Sequence, residues 1–259
     1  MKFIALTSFF FICLISFSFQ EELSQFIVNG ENANIQDHPY MVNIASTGFS
    51  YCGGAILTQR SVVTAAHCLL GVLSRPFLVT ATVGSSYRNG RDGQSYRALR
   101  LFSHPDFVYP PYVNDIAIIR TTTRIQLSSF VQPIPLAGYD YIGINVSGIF
   151  TGFGVSGYGP ILVRLPNQLQ KMNTTTISND ECREKYKVTD RYDWVVDQKL
   201  CVISTPRTSV CAMDSGGPLV INGELAGILV WRIFPCGDEL PDVFVRISAV
   251  RQWINSVLL

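Results

Sequence analysis

The chain has 259 residues, of which 47% are hydrophobic and only 15% are charged, so its composition excludes a disordered protein and suits one large folded domain or two small ones. The formal net charge is +1, and it becomes +2 (19 basic and 17 acidic residues) once Lys2, Glu21 and Glu22 are removed with the N-terminal segment. Such a nearly neutral chain gives no support to nucleic acid as a partner.

The first predicted element is an apolar run over residues 3–17, which follows Lys2 and has the small residues Ser16 and Ser18 near its end. This pattern predicts a secretory signal peptide over residues 1–18, and therefore a secreted, extracellular protein. A membrane anchor is the alternative, because the run approaches the shortest spanning length of about 17 residues. Its Ser and Thr content and weak positive flank disfavour that alternative, and no later segment of the sequence could cross a membrane.

Short apolar or alternating runs follow at close spacing, and they are broken by Gly, Pro and Asn. The runs are 41–44, 51–57, 61–65, 77–83, 98–102 and 116–120 before a proline-containing crossing near 122–136, and 147–152, 168–175, 200–203, 219–221, 224–231 and 243–246 after it. Many short strands without intervening helices predict an all-β fold, which we expect to form two antiparallel barrels.

Two helices are predicted. Ser248 is a suitable N-cap for a C-terminal helix that packs on a barrel, because apolar residues then recur on one helical face. These residues are Val250, Trp253, Ile254, Val257 and Leu258. A second, short helix is predicted to start at Ser178 or Asn179, since Asp180 and Glu181 suit the positive end of a helix dipole.

A candidate nucleophile lies in the sequence CAMDSGGPL, which places Ser215 between an acid and a Gly-Gly turn. A serine hydroxyl is a poor nucleophile unless a base accepts its proton. The chain has three histidines, and His38 and His104 each precede a proline at a predicted strand edge. That leaves His67 as the candidate base, and Asp115 in the sequence NDIAII as the acid that orients it.

The order of His67, Asp115 and Ser215, with a cysteine beside the histidine and DSGGP around the serine, closely resembles the chymotrypsin/trypsin-like serine protease family. The resemblance extends from Ile27 to the C-terminus and makes residues 27–259 one protease domain. It implies two antiparallel six-stranded β-barrels with a cleft between them, in which Ser215 attacks a peptide carbonyl and His67 transfers its proton to the leaving amine. The buried carboxylate of Asp115 would fix the imidazole tautomer and stabilise its cation.

Seven cysteines become six when Cys13 is removed with the signal peptide. Six cysteines in an oxidising compartment should pair, with 15 possible connectivities. The resemblance implies Cys52 with Cys68, Cys182 with Cys201, and Cys211 with Cys236. A zinc site is disfavoured because the sequence has no Cys-x2-Cys pair or clustered histidines, so we expect neither a metal nor a cofactor.

The sequence IVNG at Ile27 resembles the new N-terminus that activates this family. The freed amine of Ile27 would form a buried ion pair with Asp214, so the protein is predicted to be a zymogen with an activation propeptide at residues 19–26. Phe26 precedes the cleavage site, where the family usually has Arg or Lys. Either a chymotrypsin-like enzyme, this one included, cuts there, or the chain stays latent.

Met213 is a second departure from the family, which has glycine at this position. The resemblance implies that the backbone N–H groups of Met213 and Ser215 form the oxyanion hole. The donor survives the substitution, but the side chain can twist the peptide or crowd the leaving group. Loss of one such donor typically costs about 2.7 to 4 kcal/mol of barrier lowering, so Met213 is either tolerated or a mark of weakened catalysis.

The predicted substrate pocket also departs from a tryptic one. By the resemblance its base is Ser209, where a tryptic enzyme has Asp, and its walls include Trp231, Arg232 and Asp242. The last two occupy positions that are usually glycine, and their opposite charges suggest a pair that would half fill the pocket and favour small or modest apolar residues. Alternatively, Arg232 swings out and leaves Asp242 to attract a basic residue, or it lies on the solvated rim.

Asn145 and Asn173 begin Asn-x-Ser/Thr triplets and are possible glycan acceptors in a secreted chain. The segment 80–97 offers only Asp92 as an acid, so no calcium site is predicted there.

These observations predict a secreted serine endopeptidase with chymotrypsin- or elastase-like preference. Its expected partners are polypeptide substrates, protein protease inhibitors and an activating protease, and it should be a monomer that binds neither nucleic acid nor membrane. The alternative is a protease homologue with weak catalysis that acts as a secreted binding protein. A non-enzymatic module stapled by disulfides would require the three catalytic motifs to be accidental.

Overall fold

The computed structural model describes residues 27–138, 142–155, 157–158 and 163–258. The predicted signal peptide (1–18) and propeptide (19–26) lie outside these described residues. Among the helices that are described, none has both the length and the apolar character needed to span a bilayer.

A closed antiparallel barrel of six strands forms the first half of the protein, after a two-residue strand β1 (Glu31–Asn32). Its strands are β2 (Met41–Ser46), β3 (Phe49–Thr58), β4 (Ser61–Thr64), β5 (Val79–Val83), β6 (Gln94–Ser103) and β7 (Ala117–Thr121). They are hydrogen-bonded in the order β2-β3-β4-β7-β6-β5. In β5 the residues Val79, Ala81 and Val83 are fully buried while the threonines between them are half-buried, which is the alternation expected of a strand with one face in a core.

The second half is another antiparallel barrel. Its elements are β8 (Ser147–Gly152), a small hairpin of β9 (Gly157–Tyr158) and β10 (Val163–Arg164), β11 (Gln170–Ile177), β12 (Lys199–Ser204), β13 (Pro218–Ile221), β14 (Glu224–Trp231) and β15 (Asp242–Arg246). Six strands follow the order β11-β12-β15-β14-β13-β8, pairing of β8 with β11 closes the barrel, and β1 is added at the edge of β11. The predicted all-β fold of two six-stranded barrels is therefore confirmed.

Several strand starts differ from the sequence prediction by one or two residues, and that of β6 differs by four. Residues Pro76–Leu78 form a 3-10 turn, so β5 starts at Val79 rather than at 77. Strand β6 starts at Gln94 rather than at 98, because Gln94 pairs with Val83 through its backbone. Backbone pairing does not require an apolar side chain, so a polar strand start of this kind gives no signal in the hydrophobic pattern.

Both predicted helices are present among the described residues, although Ser248 lies inside the C-terminal helix and not at its N-cap. In α1 (Asn179–Tyr186) the Ser178 side chain is the N-cap and accepts a hydrogen bond of 3.0 Å from the backbone N–H of Glu181. The C-terminal helix α2 (Ile247–Leu258) starts one residue before Ser248 and packs against β14 and β15.

The barrels are held together by a shared apolar cluster and by a backbone hydrogen bond across their junction. The N–H of Gly53 in β3 donates to the carbonyl oxygen of Ser215, which precedes β13, at 2.8 Å. Three disulfides add covalent links: Cys52–Cys68, Cys182–Cys201 and Cys211–Cys236. These are the pairs that the family resemblance implied, and they place the first disulfide beside the predicted base.

Candidate active site

The candidate base and its orienting acid lie at the ends of two paired strands. His67 begins a 3-10 turn after β4, Asp115 precedes β7, and Thr64 pairs with Ala117 across these two strands. His67 Nδ1 lies 2.6 Å from Asp115 Oδ2, and the backbone N–H of His67 donates to Asp115 Oδ1 at 2.8 Å. Asp115 is fully buried, whereas the His67 side chain is 18% exposed. The carboxylate thus holds both the ring and the backbone of the histidine.

Ser215 lies in a tight turn between Cys211 and β13. The turn is closed by a hydrogen bond of 2.9 Å from the N–H of Gly217 to the carbonyl oxygen of Asp214. Gly216 has a φ of +78°, and a Cβ there would lie 2.3 Å from Thr64 Oγ1, so only glycine fits after the serine.

One disulfide sulfur connects the serine to the histidine. Cys68 Sγ lies 3.7 Å from the carbonyl oxygen of Ser215 and 3.8 Å from His67 Nε2. The structure therefore brings together the three predicted catalytic residues, with His67 and Asp115 from the first barrel and Ser215 from the second. The Cys68 sulfur is therefore in contact with both the Ser215 backbone and the His67 imidazole.

The predicted oxyanion-hole residue Met213 has a φ of +71°. This left-handed conformation favours glycine and costs an L-residue about 1–2 kcal/mol. Met213 therefore adopts a glycine-like backbone conformation under strain.

The predicted activation residues are both buried in the second barrel. Ile27 is fully buried in an apolar cluster with Phe150 and Val210, and Val28 forms a bridge with Ser209 in the segment that leads to the nucleophile. Asp214 is fully buried in the same region. This arrangement places the predicted mature N-terminus next to the segment that carries Asp214.

The Asp214 carboxylate is held by neutral groups. Its Oδ1 accepts a hydrogen bond from the N–H of Gly154 at 2.8 Å, and its Oδ2 accepts one from the N–H of Cys211 at 2.9 Å. Burial raises the pKa of Asp214 to about 7, although both backbone N–H groups lower it. A carboxyl group in this state would be stabilised as a carboxylate by a nearby cation.

The walls of the predicted pocket contain a buried ion pair. Arg232 Nη1 lies 2.5 Å from Asp242 Oδ1, and the two side chains are 5% and 1% exposed. Of the three arrangements considered from the sequence, the structure has the pair, with Arg232 away from the solvated rim. Asp238 is a partner that the sequence analysis missed, since its carboxylate and its carbonyl oxygen both accept from Arg232 Nη2.

These contacts pair both carboxylates with the Arg232 guanidinium rather than leave Asp242 free in the pocket. Burial raises the pKa of Asp242 to about 6, and the Arg232 guanidinium lowers it. At the predicted base, Ser209 is fully buried and its Oγ accepts a hydrogen bond of 2.7 Å from the N–H of Gly237. Trp231 is also buried, and its ring lies 5.8 Å from that of Trp194.

Two further residues near the triad were not singled out from the sequence. The ring of Tyr112 lies edge-on to the His67 imidazole, with 5.7 Å between centroids. Lys199, the first residue of β12, is fully buried, and its ammonium donates to the carbonyl oxygen of Tyr112. No sequence motif marks either residue.

The site does not fit a metal. The side-chain ligand atoms of Cys52, His67 and Cys68 lie within 4.8 Å of one another, a spacing that would suit a metal ion. However, the two sulfurs are joined in a disulfide and cannot act as thiolate ligands.

The two predicted glycan acceptors, Asn145 and Asn173, are both exposed.

Comparison with known proteins agrees with this geometry. The family model described as Trypsin matches residues 27–254. The chain is 30% identical over 237 residues to kallikrein-7 of Homo sapiens, with 90% of this chain and 87% of the relative covered. It is 34% identical over 241 residues to the alkaline A trypsin of Manduca sexta, with 90% and 91% covered.

A solved structure described as an inactivated protease paralogue, S-D1, of the scabies mite superposes with a TM-score of 0.81 at 26% identity, and the match covers 90% of this chain and 97% of that one. Sequence, fold and family model all agree, and the chain therefore belongs to the trypsin family of serine proteases.

Proposed function

We propose that this protein is a secreted serine endopeptidase that is made as a zymogen and cleaves peptide bonds through an acyl-enzyme at Ser215. The observation that carries the proposal is the pair of hydrogen bonds between Asp115 and His67. The Cys68 sulfur contacts both the His67 ring and the Ser215 backbone. General-base activation of a serine requires an imidazole that a carboxylate orients in this way beside the nucleophile.

The proposed reaction follows from the hydrogen bonds. Asp115 holds the proton of His67 on Nδ1, so Nε2 accepts the proton of the Ser215 hydroxyl as its oxygen attacks the peptide carbonyl carbon. The imidazolium then gives this proton to the leaving amine, and the C–N bond breaks. Water attacks the resulting ester by the same route, which releases the acid product and returns the proton to Ser215 Oγ.

The proposed substrate preference is chymotrypsin- or elastase-like rather than tryptic. The base of the pocket is a neutral hydroxyl, Ser209, and the Asp242 carboxylate is already paired with Arg232. A basic substrate side chain would therefore meet no free carboxylate there. Because the Arg232 side chain occupies space on the pocket wall, small or modest apolar side chains should be preferred to large aromatic ones.

The proposed zymogen is activated by cleavage between Phe26 and Ile27. The two observed donors to the buried Asp214 carboxylate are neutral backbone N–H groups, and the new amine of Ile27 would supply a cation for it. Breaking a buried ion pair of this kind costs about 3–5 kcal/mol, so the uncleaved chain should be nearly inactive. We further propose a monomer with glycans at the exposed Asn145 and Asn173.

A second candidate function is a weakly catalytic homologue that binds another protein, for example a protease inhibitor. The strained backbone of Met213 supports it, because an oxyanion donor on a strained peptide is easily misplaced. The likeness to a mite protein described as an inactivated protease paralogue supports it as well.

Labelling with a serine-directed fluorophosphonate distinguishes the two functions. The chain is secreted from a eukaryotic host, its N-terminus is sequenced, and the form that starts at Ile27 is treated beside its S215A variant. Stoichiometric labelling of the first and none of S215A supports the endopeptidase, and a peptide-library profile then gives its preference. No labelling of a correctly processed, folded protein would refute the endopeptidase and favour the binding protein.

A further inference from the structure

Lys199 is a buried charge that the proposed mechanism does not use. It begins β12 in the second barrel, pairs with Val245 of β15, and is 0% exposed. Lysine is almost never fully buried unless its ammonium has partners, because removing it from water costs several kcal/mol. Here the ammonium donates across the junction of the barrels to the carbonyl oxygen of Tyr112.

The residue before Lys199 makes a parallel contact. Gln198 Oε1 accepts a hydrogen bond of 2.6 Å from the N–H of Asn114, and Gln198 Nε2 donates to Asn114 Oδ1 at 3.3 Å. Two consecutive residues of the second barrel thus hold the segment Tyr112–Asn114 of the first. Asp115 follows this segment directly.

The held segment needs such support. Tyr112 and Asn114 have φ angles of 66° and 51°, and a non-glycine residue in this region persists when its surroundings fix it. The Lys199 and Gln198 contacts supply that constraint from outside the first barrel.

The ammonium also acts on Asp115 through its charge. Burial lowers the pKa of Lys199 to about 8, and the Asp115 carboxylate raises it. The other charged or titratable groups around this site are His67, Tyr112 with its neighbours Tyr109 and Arg191, and Arg246, whose Nη2 donates to the Lys199 carbonyl oxygen at 3.0 Å. Asp115 therefore interacts with two groups that can carry a positive charge, the His67 ring and the Lys199 ammonium.

We propose that Lys199 is a positioning residue of the catalytic triad. It holds the segment in front of Asp115, and it weakens the electrostatic stabilisation that the Asp115 carboxylate gives to the protonated His67 ring. A nearby positive charge offsets part of the carboxylate charge, so the imidazolium is less stabilised and gives its proton to the leaving amine more readily. The inference rests on the proposed function, since only a protease that uses His67 as its base would benefit.

The test is a pH titration of the histidine ring protons by NMR, in the processed protein and in variants of Lys199. The chain has three histidines, so His38 and His104 serve as internal controls, and the His67 signal is assigned by its loss in H67Q. K199Q retains an N–H donor for the Tyr112 carbonyl oxygen but removes the charge, whereas K199R keeps the charge. K199M is a second neutral variant in case K199Q does not fold, as judged by circular dichroism.

We expect the titration midpoint of His67 to rise by about 0.5 pH unit or more in the neutral variants, with the acidic limb of kcat/KM moving by the same amount. It should stay within about 0.2 unit in K199R, and the other two histidines should not move. A purely structural loss would separate Asp115 from His67 and lower the midpoint instead. A midpoint that is unchanged or lower in a folded neutral variant overturns the inference.

A measurement on the unaltered protein makes the test independent of whether the variants fold. As Lys199 loses its proton near pH 8, the His67 ring signal should show a second inflection that His38 and His104 lack. Absence of that inflection over the pH range in which the Lys199 ammonium is itself seen to titrate would also overturn the inference. The ring titration does not depend on turnover. If the protein is active but the His67 midpoint does not move in the neutral variants, only the role of Lys199 is refuted. A protein that is silent toward fluorophosphonate refutes the proposed function.

Discussion

Removal of the buried ion pair should open the substrate pocket to aromatic side chains. Both members must be replaced, because R232G alone would leave Asp242 as an unpaired carboxylate with only 1% exposure. An unpaired buried charge costs about 3–5 kcal/mol of stability, and it would also attract a basic substrate. The informative variant is therefore R232G/D242G, with R232G as its partner in the comparison.

The expected gain can be worked from the area that an aromatic side chain buries. A phenylalanine ring in the opened pocket would bury about 150–250 Å². At about 25 cal/mol per Å² this is worth about 4–6 kcal/mol, of which ordering of the substrate and pocket loops consumes a large part. If about half remains, the gain is about 2–3 kcal/mol, or about 30- to 150-fold in kcat/KM.

The assay is kcat/KM on a series of chromogenic peptides that differ only in the residue before the cleaved bond, namely Ala, Val, Leu, Phe and Lys. The unaltered protein should prefer the smaller apolar residues, R232G/D242G should prefer Phe, and R232G should prefer Lys because Asp238 and Asp242 lose their cation. R124G, which removes an exposed arginine of the crossing segment after β7, is the matched control and should keep the original preference.

If R232G/D242G still reacts fully with fluorophosphonate but its Phe-to-Ala ratio rises by less than about fivefold, then Arg232 and Asp242 do not limit the pocket. Normal labelling would exclude a damaged triad as the cause.

Three further predictions concern the turn before the nucleophile. M213G should raise the rate of Ser215 labelling by up to about tenfold, because glycine adopts φ +71° without strain and lets the N–H of residue 213 align with the oxyanion, whose loss as a donor would cost about 2.7–4 kcal/mol. An unchanged or slower rate would argue that Met213 already aligns this N–H. Asp214 has a raised pKa of about 7 next to an uncleaved N-terminus, so its contribution to stability is present at acidic pH and is lost as the pH rises through 7. Cleavage before Ile27 should remove this loss, because the new amine would pair with the ionised Asp214. The Tm difference between cleaved and uncleaved protein should therefore be larger at pH 8 than at pH 5, and equal differences would contradict the ion pair. G154A should lower the Tm strongly and abolish labelling, since its Cβ would lie 2.3–2.5 Å from the Asp214 carboxyl atoms, and near-normal behaviour would show that the carboxylate can move.

The sequence was sufficient for those features that short motifs or local patterns encode. The triad residues are marked by their immediate neighbours, and the Ser178 cap follows from a rule about the first turn of a helix. The pairing of Arg232 with Asp242 could be anticipated because two opposite charges replace glycines that line the same pocket in the family.

Features that depend on how two distant segments meet were not predictable in this way. Lysine at the start of a strand usually reaches solvent, and only the junction of the two barrels buries Lys199. Asp238 reaches Arg232 because of the path of the loop between β14 and β15, which the disulfide at Cys236 constrains. Met213 shows the same limit, since its identity is visible in the sequence but its backbone strain is not.

The sulfur of Cys68 that touches both the imidazole and the serine backbone has a practical consequence for anyone who prepares this protein. Thiol reductants in a buffer would open the bond to Cys52 and release that sulfur as a mobile, ionisable group between base and nucleophile, even where the rest of the chain stays folded. Expression in a reducing cytosol would have the same effect from the start. The oxidation state of this one bond should therefore be verified, beside the integrity of the barrels, before the turnover of a preparation is measured.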